Sequence, residues 1–211
     1  MSKNKSVFYV LDLDRTLFDT DAYVGKYIEI ARQFDEKIAQ KLQFIWSEQD
    51  ISLRGWVSKE QGDLFQQNIE AMLEDKVAPD DLLMLGAKEF LAALPAKQID
   101  FGIATFGDRL YQAHKLKLSG LSGIPYIMTG ESKGELIASW QDENGLFTVP
   151  KELGDSSVKY SSIVLIDDKA RSFKGLPRQA RGYWLSETSD TILPSHEVAV
   201  KRITHLAQAI I

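Results

Sequence analysis

The sequence contains no cysteine among its 211 residues. Without a thiol, disulfide bridges and thiolate-ligated metal sites are excluded. An excess of positive charge is also missing, because 30 acidic residues outnumber 25 basic ones and give a net charge of −5. A chain with this balance is a poor candidate for binding the phosphate backbone through bulk attraction. We therefore expect no nucleic-acid partner.

Long apolar runs are absent near the start of the chain as well. The first run, at residues 7–11, is too short for a signal peptide or a membrane-spanning segment. We therefore expect no membrane partner and a cytoplasmic location. The 44% hydrophobic and 26% charged residues are ordinary for a soluble globular protein. The length suits one large α/β domain or a core with a smaller insertion.

Segments with strand and helix periodicity alternate along the chain. Apolar runs predict five buried strands, at residues 7–11, 99–104, 124–128, 162–166 and 182–185. Helical spacing predicts the segments between them, including a helix that Pro79 opens and Pro95 follows, and a terminal helix from Ala199 to Ile210. Strands alternating with helices indicate an α/β fold with a doubly wound, mostly parallel sheet.

Residues 20–80 are predicted to be mostly helical. Apolar residues recur every three or four positions at 24–45, which indicates one long helix or two abutting ones. The same spacing at 64–73 indicates another helix. The mixed polar stretch at 47–59 is interpreted as a loop.

Two carboxylates and a hydroxyl follow directly on the first predicted strand, in the sequence Asp12-Leu-Asp14-Arg-Thr16. Open α/β sheets bind ligands beyond the carboxyl ends of their strands. Because burying uncompensated carboxylates is costly, we expect Asp12 and Asp14 to face a cation, and Mg²⁺ is the first choice. The alternative is that both are turn-forming carboxylates that cap a helix.

Later strands and turns also end in groups that bind phosphate or metal. Thr105 and Gly107 follow the second predicted strand, and Lys133 begins a later helix. The paired acids Asp167 and Asp168 end the most clearly apolar strand of the chain. Because the carboxyl ends of parallel strands lie at one edge of the sheet, we expect these groups to share a site.

The chemistry that these groups could share is phosphoryl transfer. A carboxylate such as Asp12 can act as a nucleophile and form an aspartyl-phosphate. A second carboxylate two residues later, Asp14, can give a proton to the leaving oxygen and later take one from water. Phosphate oxygens can be held by a hydroxyl, backbone amides and a lysine, which Thr105, Gly107 and Lys133 supply. The paired acids can help to complete a Mg²⁺ site.

In their order along the chain, these motifs resemble those of the haloacid dehalogenase-like (HAD) hydrolase superfamily, over about residues 6–186. The Asp-x-Asp-x-Thr motif after a buried strand is the most specific of them. The chain departs from the family pattern in two places. Phe106 follows the hydroxyl where Asn often stands, and no third acid follows Asp168 at four or five residues.

The resemblance implies a role for each matching position. Asp12 would be the nucleophile and a Mg²⁺ ligand. Asp14 would be the general acid and base and would also bind Mg²⁺ through its backbone carbonyl. Thr105 and Lys133 would bind the phosphate, and Asp168, with the acid before it, would complete the metal site.

The resemblance also implies a Rossmann-like HAD core, made here of residues 1–19 and 81–211, with a mobile helical cap at 20–80 that sets substrate choice. The presence of Asp14 favours phosphate chemistry over dehalogenation. We therefore expect a Mg²⁺-dependent phosphomonoester hydrolase for a small phosphorylated metabolite, acting through an aspartyl-phosphate as a monomer or weak homodimer. The alternatives are a phosphomutase or phosphotransferase using the same site, and a catalytically silent HAD-fold binding protein.

Several of these assignments have structural alternatives. The paired acids could cap a helix, and Thr105 could be an ordinary residue at a strand end. Three other lysines are alternatives to Lys133, namely Lys115, Lys117 and Lys151. Arg54 and Trp56 could touch the substrate from the cap. The three histidines belong to no motif and are expected at the surface or in packing, at positions His114, His196 and His205.

Overall fold

The computed structural model describes residues 3–48, 53–130, 132–186 and 200–210. The strands of this part of the chain are β1 (Lys3–Leu11), β2 (Asp100–Thr105), β3 (Tyr126–Met128), β4 (Val158–Asp167), β5 (Arg181–Leu185) and β6 (Val200–Ile203). They form one sheet in the order β3-β2-β1-β4-β5-β6, and every neighbouring pair is parallel. The predicted α/β fold with a doubly wound parallel sheet is confirmed.

Seven α-helices lie in the described ranges. They are α1 (Thr20–Phe34), α2 (Glu36–Glu48), α3 (Leu53–Gln61), α4 (Asp63–Lys76), α5 (Ala87–Ala96), α6 (Arg109–Leu118) and α7 (Lys133–Ala138). Three short 3₁₀ helices accompany them, at Pro79–Leu82, Ala170–Phe173 and Leu206–Ala209. In the part of the chain that is described, no helix combines the length and apolar character needed to cross a membrane.

The two central strands, β1 and β4, hold the core and place the site. Tyr9, Val10, Leu11, Val164 and Ile166 are fully buried, as expected for strands that are covered on both faces. Leu11 is in register with Ile166 of β4 and also with a residue of β2. The carboxyl ends of β1, β2 and β4 therefore lie side by side at the middle of the sheet.

The chain folds into two compact units. The first contains Met1–Phe18, Leu83–Phe106 and Gly123–Ile211, and it includes the whole sheet. The second contains Asp19–Leu82 and Gly107–Ser122, and it is helical. The predicted cap at 20–80 falls within the second unit, whereas residues 107–122 were predicted to belong to the core.

Helix α6 accounts for this difference, because its side chains pack on helices of the second unit. The ring of Tyr111 lies 5.8 Å from that of Tyr23 in α1, centroid to centroid. His114 lies 3.5 Å from a carboxylate oxygen of Glu70 in α4. The boundaries of α6 follow from local sequence signals, but its packing partners depend on tertiary contacts.

The loop predicted at 47–59 is wrong at both ends, because α2 continues through Glu48 and α3 forms from Leu53. Leu53 and Val57 are fully buried and stand four residues apart on one face of this helix. Leu53, Trp56 and Val57 have helical spacing, but this single turn beside Gly55 is too short a pattern to indicate a helix. Residues 49–52 lie outside the described ranges.

The helix predicted to begin at Pro79 is divided in the structure. A 3₁₀ turn ends at Leu82, and Met84 then donates a backbone hydrogen bond to Leu17 (2.9 Å). Helix α5 begins only after Gly86, whose φ of +81° breaks the helical path. Pro95 lies within the last turn of α5 instead of beyond it. Proline there removes one backbone hydrogen bond of the last turn, and Lys97 closes the helix by donating to the carbonyl of Ala93 (3.1 Å).

The terminal helix predicted from Ala199 to Ile210 is also wrong. Ala199 lies outside the described ranges, and Val200–Ile203 form β6, which pairs with β5. A 3₁₀ turn follows at Leu206–Ala209, where the hydroxyl of Tyr9 donates to the carbonyl of Ala209 (2.9 Å). The open edge of β5 offered backbone hydrogen bonds that outweighed the weak helical spacing.

Candidate active site

Asp12 begins the site at the carboxyl end of β1. Its backbone N–H donates to the carbonyl of Ile166 (2.9 Å), which extends the pairing of β1 with β4 by one residue. The side chain is buried, with 6% of the residue exposed. The hydroxyl of Thr16 donates to its Oδ2 oxygen at 3.2 Å. Strand pairing and this hydrogen bond together hold the carboxylate in place.

Lys133 reaches the site from the first turn of α7. Ser132 caps this helix, because its hydroxyl accepts from the N–H of Glu135 (3.3 Å) and donates to the carbonyl of Lys174 (2.8 Å). Gly134 lies against the same backbone, where an added Cβ would come within 2.4 Å of the Lys174 oxygen. This close approach fixes the start of α7 and hence the direction of the lysine.

The Lys133 ammonium donates to both Asp12 and Asp167. Burial raises the pKa of Asp12; Lys133 lowers it, while Asp167, Asp168 and Asp14 raise it further. Burial alone would lower the pKa of Lys133, but the two bonded carboxylates outweigh burial and raise it. The lysine therefore stays charged and provides the positive charge nearest to Asp12.

Asp168 completes a cluster of three carboxylates. Asp12, Asp167 and Asp168 each offer an oxygen, and these atoms lie within 4.8 Å of one another. The backbone carbonyl of Asp168 accepts from the indole N–H of Trp184 (2.9 Å), but its own Oδ1 is buried without a hydrogen-bond partner. Burial, followed by the charge of Asp167, raises the pKa of Asp168 to about 6.

This donor set fits a hard divalent cation. All three side chains offer oxygen, the ligand type that Mg²⁺ prefers. The unpartnered oxygen of Asp168 has a negative charge that no described side chain neutralises by direct contact. Of the described residues, Lys133 is the one that pairs directly with the cluster, through Asp12 and Asp167, and Lys169 acts on Asp168 only at longer range. An added cation would relieve the remaining repulsion among the three carboxylates.

Thr105 and Gly107 lie at and just after the end of β2. The Thr105 hydroxyl is buried and has no hydrogen-bond partner among the described residues, so it remains able to donate to a ligand. Gly107 has a φ of +132°, and an added Cβ would lie 2.9 Å from the Gln112 amide nitrogen. Gly107 belongs to the second unit, and its backbone conformation by itself accounts for glycine there.

A small cavity of about 40 Å³ lies over the carboxylates. Its lining consists of Asp12, Asp14, Phe106, Lys133, Lys169, Arg171 and Ser172. The structure therefore brings Asp12, Asp14 and Lys133 together at this cavity. Lys169, Arg171 and Ser172 were missed, although they follow the paired acids directly. Ser172 stands four residues after Asp168, at a position where a third acid was sought.

The alternatives to Lys133 lie elsewhere. Lys117 forms an ion pair with Glu74 (2.7 Å), and the ammonium of Lys115 lies 4.2 Å from the centre of the Tyr111 ring. Lys151 is exposed. Of the four lysines considered, Lys133 is the one that contacts the carboxylates of β1 and β4.

Other side chains considered from the sequence have structural partners in the second unit. Arg54 donates to Glu70 at 2.9 Å, and Trp56 is half-buried on the same helix. His114 is buried between Glu70 and a second carboxylate of α4, and burial lowers its pKa. His205 is exposed in the first unit. His196 lies outside the described ranges.

Comparison with known proteins gives similarity in structure but not in sequence. Neither a protein-family model nor a curated protein sequence matches the chain. A haloacid dehalogenase-like hydrolase from Burkholderia xenovorans LB400 superposes with a TM-score of 0.66 at 16% identity, covering 97% of this chain and 94% of that one. This is the fold of the HAD hydrolases.

Two further HAD structures agree over nearly the whole chain. The HAD hydrolase YfnB from Bacillus subtilis, solved with bound magnesium, has a TM-score of 0.53 at 18% identity and covers 97% of both chains. A HAD family hydrolase from Deinococcus radiodurans R1, solved with phosphate and sodium, has a TM-score of 0.52 at 17% identity. It covers 99% of this chain and 94% of that one. At these identities the HAD similarity establishes the fold.

Proposed function

We propose that the protein is a Mg²⁺-dependent phosphomonoester hydrolase that forms an aspartyl-phosphate on Asp12. The observation that carries the proposal is the arrangement at the end of β1. A buried carboxylate, held by Lys133 and Thr16, faces a small cavity that Asp14 also lines. A fixed nucleophile beside a second carboxylate is the arrangement that covalent phosphoryl transfer requires.

The reaction would proceed in two displacements. An Asp12 carboxylate oxygen attacks phosphorus, and the bond between phosphorus and the ester oxygen breaks as Asp14 gives its proton to the leaving alcohol. Asp14, now ionised, takes a proton from water, whose oxygen attacks the phosphorus of the aspartyl-phosphate. The bond between phosphorus and the Asp12 oxygen breaks, inorganic phosphate leaves, and Asp12 is again a carboxylate while Asp14 has its proton back.

The remaining groups would bind and stabilise the phosphoryl oxygens. The charged Lys133 ammonium and the unpartnered Thr105 hydroxyl can donate to them, with the backbone N–H of the residue directly after Thr105 as a further donor. Asp12, Asp167 and Asp168 would hold Mg²⁺, which when bound offsets the negative charge of the phosphoryl oxygens. Of the structural neighbours, YfnB was solved with magnesium and the Deinococcus radiodurans hydrolase with phosphate and sodium.

The test is release of phosphate from 4-nitrophenyl phosphate and from a panel of small phosphorylated metabolites, with Mg²⁺ and with EDTA. We expect Mg²⁺-dependent hydrolysis by the wild type and a loss of about 10³-fold or more in Asp12→Asn. Glu143→Gln is the control and should keep wild-type activity, because it removes an exposed carboxylate that does not line the cavity.

Full activity in Asp12→Asn would contradict the covalent mechanism. If the wild type released no phosphate from any substrate while binding Mg²⁺, the protein would instead be a HAD-fold binding protein. Trapping of radiolabelled phosphate on the denatured wild type, but not on Asp12→Asn, would identify the intermediate directly.

A further inference from the structure

Two basic side chains at the cavity lack an acidic partner. Lys133 is bonded to two carboxylates, but no described carboxylate lies within 4.0 Å of the ammonium of Lys169 or the guanidinium of Arg171. Lys169 acts on Asp168 only at longer range, where its charge lowers the pKa of that carboxyl. The cavity therefore has two positive charges that its own lining does not neutralise.

The lining is divided by depth. Asp12, Lys133 and Ser172 are buried, with 6%, 3% and 3% of each residue exposed, and they form the floor. Lys169 is half-buried, Arg171 is exposed and Phe106 is 52% exposed, so these three form the rim. The unpartnered cations thus stand at the entrance.

The size of the cavity determines which part of a substrate meets the rim. A volume of about 40 Å³ accommodates a group of the size of a few water molecules, such as a phosphoryl group. A phosphate ester with its phosphoryl group against Asp12 must therefore place its organic part outside the floor. Phe106, Lys169 and Arg171 are the exposed or half-buried lining residues that this part can reach.

We propose that the substrate has a second anionic group, a carboxylate or a phosphate, on its leaving alcohol, and that Lys169 and Arg171 bind this group. A guanidinium can hold a carboxylate or phosphate through two parallel hydrogen bonds, and the neighbouring ammonium adds a point charge. The inference rests on the proposed function, because it assumes that the phosphoryl group occupies the floor.

The experiment compares three substrates with the same three-carbon alcohol skeleton. They are propyl phosphate, 3-(phosphonooxy)propanoate and propane-1,3-diol bisphosphate, which differ in having no second anion, a carboxylate or a phosphate. We expect kcat/KM to be about tenfold higher for at least one of the two anionic substrates than for propyl phosphate. Whichever of the two anionic substrates has the higher kcat/KM shows whether the second anionic group is a carboxylate or a phosphate.

Arg171→Gln and Lys169→Gln test the residues. In each variant the ratio of kcat/KM between the preferred anionic substrate and propyl phosphate should fall severalfold, and in the double variant it should approach one. Arg178→Gln is the matched control, because Arg178 is exposed on the same stretch of chain but does not line the cavity. It should keep the wild-type ratio.

Each outcome decides a separate point. If the wild type hydrolyses propyl phosphate as well as both anionic substrates, the inference is wrong while the proposed function stands. A preference that persists in the double variant would also overturn the inference, since another group would then bind the anion. If no phosphate is released from these three substrates, from 4-nitrophenyl phosphate or from the metabolite panel, the proposed function fails, and the inference fails with it.

Discussion

Asp168 has a carboxylate with one buried oxygen that lacks a hydrogen-bond partner. In the unfolded chain its pKa would be near 3.8, whereas burial and the charge of Asp167 raise it to about 6 in the folded protein. The folded state therefore holds this proton more tightly than the unfolded state does. As the pH rises from about 4 to about 6, ionisation of Asp168 lowers the free energy of unfolding, and the loss is complete above that range.

Asp168→Asn should therefore stabilise the protein when no divalent cation is present. At pH 7.5 in EDTA we expect the free energy of unfolding to rise by up to about 3 kcal/mol, the value of a shift of this size at 1.36 kcal/mol per pKa unit. The gain should vanish near pH 4, where the wild-type carboxyl is protonated. Urea unfolding at both pH values measures it.

Addition of Mg²⁺ should favour the wild type over Asp168→Asn, the reverse of the stability difference expected in EDTA. Mg²⁺ should stabilise the wild type more than Asp168→Asn, because the variant has lost a ligand oxygen with its charge. Glu143→Gln removes an exposed charge and should change the stability by no more than about 0.5 kcal/mol in either buffer. An Asp168→Asn protein less stable than wild type in EDTA at pH 7.5 would show that Asp168 is not under charge strain.

Among single residues, those that lie directly at the end of a strand could be assigned to the site from the sequence. Asp12, Asp167 and Asp168 end or follow apolar strands, so a shared site could be predicted from their positions at the carboxyl ends of parallel strands. Lys169 and Arg171 could not be assigned to the cavity in that way. Their side-chain directions depend on the short turn at 170–173, which no periodicity describes.

Helix α7 shows how an element of six residues places a side chain. Its capping residue, Ser132, is tied to the carbonyl of Lys174, and Gly134 touches that same backbone. The helix start is therefore anchored to the turn that follows β4, the strand that ends in Asp167. This contact places Lys133 between the two carboxylates.

Gly134→Ala should move this anchor. The added Cβ would lie 2.4 Å from the Lys174 oxygen and 2.8 Å from the Leu176 nitrogen, both backbone atoms. We expect the protein to lose about 1–3 kcal/mol of stability from overpacking and to lose phosphatase activity as Lys133 shifts. Thermal unfolding and kcat/KM for 4-nitrophenyl phosphate measure the two effects.

Gly25→Ala provides the matched control in another helix. Gly25 lies within α1, where an added Cβ would meet nothing within 4 Å. Alanine is the better helix former, so this variant should be more stable by about 0.5–1 kcal/mol and remain fully active. Equal effects of the two substitutions would mean that the contact at Gly134 does not position α7.

Elements with strong periodicity could be predicted from the sequence, and those decided by tertiary contacts could not. Helix α6 has a local signal for its start, because the side chain of Asp108 accepts from the N–H of Tyr111 (2.9 Å) and caps the helix. At the other extreme, β6 has only four described residues, and it forms because the edge of β5 is there to pair with. The residues after β6 form a 3₁₀ turn at Leu206–Ala209, so a part of the predicted terminal helix is helical in the structure.

For the whole molecule, the division into two units does not follow chain order. The chain leaves the first unit after Phe18, returns at Leu83, and leaves it again for the segment Gly107–Ser122. Sequence periodicity cannot indicate this second departure, because an amphipathic helix has the same pattern whichever unit covers its apolar face. Its assignment depends on side-chain packing such as that of Tyr111 on Tyr23.

The assignment of α6 predicts which parts of the molecule open together. Leu116 is 1% exposed in α6, and Leu94 is fully buried in α5, which packs on β2 of the first unit. Leu116→Ala and Leu94→Ala each create a cavity and should cost about 2–5 kcal/mol of stability.

In hydrogen exchange monitored by mass spectrometry, Leu116→Ala should speed exchange mainly in α1 and α4. Leu94→Ala should speed it mainly in β1 and β2. Faster exchange in the sheet than in α1 and α4 after Leu116→Ala would show that α6 is energetically part of the first unit.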